Sequence, residues 1–122
     1  MAKKQSIPPE VQAEVQKLIE NFNREHFKKS NSLMRAFLGN KVKAGYSARF
    51  KGKYLYVDRN DSGRPSPICR LTWKGQMDNW DFAIYKYSDN DYDPTEWFFP
   101  GSGEVDGTVT GAMKAGMEAY RI

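Results

Sequence analysis

The sequence predicts an α+β fold: a single domain in which a four-stranded antiparallel meander is packed on one face by an N-terminal and a C-terminal helix. Three observations predict it. Apolar residues recur at helical spacing near both ends of the chain and alternate at strand spacing between them. The links between the middle segments are too short for a crossover helix, so neighbouring strands must run antiparallel. The length, 122 residues, suits one hydrophobic core, and residues 1–122 are read as one domain.

The polar start, residues 1–6, is expected to be disordered. Ser6 is a candidate cap and the following prolines suit a first helical turn, where a missing N–H costs little. Val11, Val15, Leu18, Ile19 and Phe22 then form one stripe, extended by His26, and predict a helix from Pro8 to Lys28. "KKSNSLMRAFLGNK" reads as a break followed by a short helix capped by Ser32 and stopped by Gly39, with residues 30–44 an insertion or flap. Four strand signals follow: "GYSARF", "KYLYVDR", "ICRLTWK" and "WDFAIYKYS", separated by glycine- and aspartate-bearing turns. The segment "GTVTGAMKAGMEAY" is the closing helix, with Asp106 as its expected cap.

Strand alternation sorts the side chains. Leu55 and Val57, then Cys69, Leu71 and Trp73, then Phe82 and Ile84 fall on one face, which the helices should cover. Tyr54, Tyr56, Arg70, Tyr85 and Tyr87 fall on the other, with Arg49 beside them. Interior glycines cost a helix about 1 kcal/mol each, so Gly111 and Gly116 predict a close approach of the last helix to its neighbours.

Net charge is +4, unevenly distributed: residues 1–59 carry +8 and residues 60–122 carry −4. A basic front half can steer an anionic partner. No apolar run approaches the roughly 18 residues that cross a bilayer, and the basic start lacks an apolar stretch after it. A cytoplasmic protein with no membrane partner is therefore expected. Cys69 is the single cysteine, which excludes an internal disulfide; its place in an apolar strand makes it a core residue. His26 is the single histidine, and no nucleophile stands at a recognisable spacing from it. Asp89, Asp91 and Asp93 begin like a calcium loop, but Pro94 and Pro100 occupy the positions that need Gly and Glu. No catalytic set, metal site or cofactor is predicted.

Two surfaces remain. "EWFFPGSGEVDG" sets Trp97, Phe98 and Phe99 beside Gly101 and Gly103. Each large ring can bury on the order of 150–250 Å², so at least two of the three are expected to plug the sheet at its edge or tyrosine face. This loop is the leading site for an unknown protein or small ligand, in a non-catalytic interaction module that is a monomer or homodimer. The glycines do not form a phosphate loop: the lysine is missing and Glu104 and Asp106 would repel an anion. The alternative is nucleic-acid binding, with Lys41, Lys43, Arg49, Lys51 and Lys53 on phosphates and Tyr54 and Tyr56 stacking bases.

From about Arg49 to Tyr120 the chain resembles a set of small prokaryotic proteins that share "EWFFPGSG" and "DGTVTGAMKAGMEAY", a resemblance that brings no activity with it. The element order is also similar to the double-stranded RNA-binding domain. The acidic "EVDGTVTG" stands where that family has a basic cluster, and the extra strand is a second departure.

Overall fold

The computed structural model of the chain describes residues 6–27, 44–60 and 64–121. The short helix expected after Ser32, nearly all of the expected flap, Lys41 and Lys43 lie outside the described residues.

Helix α1 spans Pro9–His26, begins after Pro8 and has no side-chain cap, so Ser6 does not take that role. The chain before it is tied down instead by buried Ile7, whose N–H donates to Gly52 O at 3.0 Å. Val15, Ile19 and Phe22 form the buried stripe of α1, and His26 stacks on Phe22 with ring centroids 4.1 Å apart.

Five strands form one sheet in the order β1-β2-β3-β4-β5, each antiparallel to the next: β1 Gly45–Lys51, β2 Tyr54–Asn60, β3 Pro65–Thr72, β4 Asp81–Lys86 and β5 Asp91–Asp93. The expected four-stranded meander is thus corrected by one short strand. The chain reverses after Lys86 through a turn in which Asn90 takes a left-handed conformation (φ 53°), a geometry asparagine tolerates. That reversal lays Asp91, Tyr92 and Asp93 against Lys86, Tyr85 and Ile84.

The helix-covered face holds Leu55, Val57, Cys69, Leu71, Trp73, Phe82 and Ile84, all buried, as alternation predicts. A bulge interrupts the β2–β3 register between Val57 and Asp58: Val57 pairs with Cys69, but Asp58 pairs with Pro67, so Ile68 is the extra residue. Helix α2, Val109–Ala119, packs there. A Cβ on Gly116 would sit 2.5 Å from Tyr46 Oη and 2.7 Å from Ile68 Cγ2, which explains glycine inside this helix. The cap of α2 is Thr108, whose side chain accepts from Gly111 N; Asp106, two residues earlier, accepts from Thr108 N–H and Oγ1–H.

Polar contacts fix the helices to the sheet. The Asn23 side-chain amide donates to Tyr46 O at 2.9 Å and accepts from Tyr46 N at 2.8 Å, joining α1 to β1. Gly45, at φ 121°, leaves room for it: a Cβ there would stand 2.5 Å from Asn23 Oδ1. Arg59 is only 1% exposed. Its guanidinium donates to Gly116 O at 3.0 Å and to Tyr120 O at the C-terminus of α2, where the helix dipole is negative; Gly116 O also accepts from Tyr120 N–H at 3.0 Å.

Candidate binding surfaces

No helix among the described residues packs on the second face of the sheet, where register sets the residues out in rows. Arg49, Tyr56, Arg70 and Ala83 stand opposite one another across four strands, and Lys51, Tyr54, Thr72 and Asp81 form the next row. The Arg70 guanidinium carbon lies 4.8 Å from the Tyr54 ring centroid and 5.5 Å from that of Tyr92. Tyr92 reaches back from β5 to lie 5.4 Å from Tyr56 and 5.1 Å from Tyr85. The Lys53 ammonium sits 5.4 Å from the Tyr54 ring. Rings and cations alternate because the ring quadrupole attracts a cation over its face.

Arg49 completes this face. Its side chain is 59% exposed, yet Nε donates to Asp58 Oδ2 at 2.6 Å and Nη2 to Oδ1 at 3.2 Å, while the guanidinium carbon lies 5.0 Å from the Tyr56 ring. The hydrogen bond to Asp58 raises the Arg49 pKa, so the charge is permanent. Burial, with Asp58 nearby, pushes the Tyr92 phenol up to about 12 and keeps it neutral. Nε of Arg70 is buried and makes no hydrogen bond among the described residues; its guanidinium lies over the Tyr54 and Tyr92 rings.

The aromatic loop behaves differently. Trp97 and Phe99 each lie 5.9 Å from Phe82, their planes inclined to its ring by 40° and 21°; Phe99 is half-buried, but Trp97 stays 44% exposed, so the expected plug forms only in part. Its receiving surface is Phe82 on the helix-covered face, along the part of β4 that β5 does not reach, and not the tyrosine face. Phe98 faces water, at 99% exposure. Its backbone N–H donates to Glu96 Oε2 at 3.0 Å, and Glu96 Oε1 accepts from Lys86 Nζ at 3.2 Å. Lys86 also pairs with Asp89 at 3.6 Å and Asp93 at 3.7 Å, and its pKa is raised, chiefly by the Glu96 hydrogen bond. Asp93 accepts from Thr95 N–H and Oγ1–H, bonds that lower its pKa. Beside Phe98 opens a cleft of about 280 Å³ walled by Tyr85, Tyr87, Phe99 and Tyr120, with Lys86 and Glu96 at its polar end.

Gly101 belongs to the mount of this loop: at φ 94°, a Cβ would stand 2.6 Å from Ala115 O. Gly103 has open space around it. The sequence-predicted sites therefore separate into two places. Arg49, Lys51, Lys53, Tyr54 and Tyr56 share the second sheet face; Phe98 stands at the cleft, and Trp97 and Phe99 anchor it. Tyr92, Asp58 and the cleft residues Tyr87 and Tyr120 were not singled out as site residues. The "DYD" alternation was the only sequence signal for Tyr92.

His26 is exposed and stacks on Phe22, and Cys69 is buried, with its thiol pushed well above its usual range. Among the described residues no group of His, Cys, Asp and Glu could hold a metal ion, and no helix is long and apolar enough to cross a membrane. Family models, curated proteins and solved structures yield no match to the chain.

Proposed function

We propose that the chain is a non-catalytic binding module whose ligand is single-stranded nucleic acid, held on the tyrosine face of the sheet. The observation that carries this reading is Arg70 between Tyr54 and Tyr92, in a field that also holds Arg49, Lys51, Lys53 and Tyr56. Unpaired bases stack on tyrosine rings and on guanidinium planes, while phosphates take the flanking cations. Tyr54, Tyr56, Tyr92 and Arg70 are half-buried, which holds their rings in place and leaves part of each in contact with solvent. Asp58 already neutralises Arg49, so Lys51, Lys53 and Arg70 supply the charge available to phosphate. A flat face of rings suits splayed single strands better than the deep groove of a duplex.

Fluorescence anisotropy with a labelled thymidine oligonucleotide of about 12 nucleotides, and with the matching duplex, tests this. Three phosphate contacts on a single strand give a log–log salt slope near −2, so raising salt from about 50 to about 200 mM should weaken binding roughly twentyfold. Removing a stacking ring by Tyr54→Ala should weaken it by a further factor of about 5 to 100, as one base stack is worth ~1–3 kcal/mol. An absence of single-strand binding at low salt, or equal affinity of wild type, Tyr54→Ala and Arg70→Ala, would reject the reading.

A further inference from the structure

The exposed ring of Phe98 is not explained by nucleic acid on the tyrosine face. It lies in an aromatic loop anchored on Phe82, away from Arg70 and Tyr54. Its exposure is also not loose loop geometry. The rings on either side of it both touch Phe82, its N–H is held by Glu96, and Glu96 is held in turn by Lys86. The fold spends two anchored aromatics and a charge network to hold one phenylalanine in water beside an aromatic cleft.

The charge around that cleft selects a partner. At its polar end three carboxylates, Asp89, Asp93 and Glu96, gather on one cation, Lys86. That cation is shared among Asp89, Asp93 and Glu96, all within 3.7 Å of its Nζ, so the rim remains negative. Tyr87, 55% exposed, and Tyr120 supply the wall opposite Phe98. The volume of about 280 Å³ is enough for one large side chain. Aromatic anchors seated in a pocket and ringed by complementary charge are the usual form of a small protein docking site.

We propose that this cleft docks a basic peptide segment of a partner protein, with an aromatic anchor seated between Phe98, Tyr87 and Tyr120 and flanking Lys or Arg side chains meeting Asp89, Asp93 and Glu96. The site is separate from the nucleic-acid reading and stands or falls independently of it.

End-blocked peptides Lys-Lys-Trp-Lys-Lys, Lys-Lys-Ala-Lys-Lys and Glu-Glu-Trp-Glu-Glu, titrated into the isotope-labelled full chain, test both halves of the proposal by amide chemical-shift changes. The tryptophan–lysine peptide should move Tyr87, Ser88, Phe98 and Tyr120 and bind at least about tenfold more tightly than either control, since both the anchor and the charge are needed. Phe98→Ala should weaken it about fivefold or more while leaving oligonucleotide affinity unchanged. Equal binding of the alanine peptide would reduce the site to nonspecific charge and overturn the proposal, as would shifts mapping elsewhere or no effect of Phe98→Ala. Sedimentation velocity supplies the other occupant: a dimer of this chain that Phe98→Ala dissociates would also overturn it, because Phe98 would then be covered by a second copy.

Discussion

On the helix-covered face, Arg59 points its guanidinium into the end of α2 and spends its donors on backbone carbonyls. On the opposite face, one strand away, Arg70 lies between two tyrosine rings with an Nε that bonds to nothing among the described residues. The same side chain serves two purposes. A guanidinium saturated by hydrogen bonds in a dry site holds architecture together, because removing it strands buried acceptors. A guanidinium held mainly by ring contacts at a half-wet surface keeps capacity for a ligand.

The comparison breaks most severely at Arg59. Arg59→Ala removes a buried side chain that donates to Gly116 O and Tyr120 O and should cost about 3–5 kcal/mol in urea unfolding, whereas Arg70→Ala should cost less than about 1 kcal/mol. Gly116→Ala is the next largest test of the covered face. Its new methyl meets Tyr46 Oη and Ile68 Cγ2 in a packed site and should destabilise by about 1–3 kcal/mol; Gly103→Ala, with nothing within 4 Å, should change stability by less than about 0.5 kcal/mol. Alkaline titration sharpens the second face. With the Tyr92 phenol pushed up to about 12, the folded chain keeps a proton that the unfolded chain loses near pH 10, so stability falls as pH rises from about 10 to about 12. Tyr92→Phe should flatten that part of the pH–stability curve, measured by urea midpoints. The smallest effect belongs to the loop: Phe98→Ala should leave the midpoint within about 0.5 kcal/mol, while Phe99→Ala, which uncovers Phe82, should cost about 2 kcal/mol.

What could be read beforehand follows from how local each cause is. Alternation placed Leu55, Leu71 and Phe82 on one face because a strand's side-chain period is two whatever lies beyond it. The need to bury rings predicted that at least two of Trp97, Phe98 and Phe99 would pack, not which ones; the partner of Trp97 and Phe99, Phe82, depends on the path of the loop across β4 and has no local signal. Strand β5 escaped because Asp91–Asp93 has neither apolar periodicity nor length, and pairs only because Asn90 turns the chain back. Asp106 and Thr108 are both good capping residues, and the one that starts α2 is set by where Gly107, at φ 87°, redirects the backbone. The tyrosines of β2 were legible as a face; Tyr92 joined them only through the missed strand. Arg59 could not be recognised as a clamp, since its acceptors lie 57 and 61 residues further along the chain.

Strand β5 has one more effect. A sheet edge is a template on which foreign strands can add, and fibre growth begins at such places. Here β5 shields one half of β4 with three residues, two of them aspartate, and runs into Pro94, which has no amide hydrogen to offer. The anchored rings of Trp97 and Phe99 lie along the other half. A brief, acidic, proline-ended margin gives an incoming chain little to zip onto, and so guards the protein against accretion from that side.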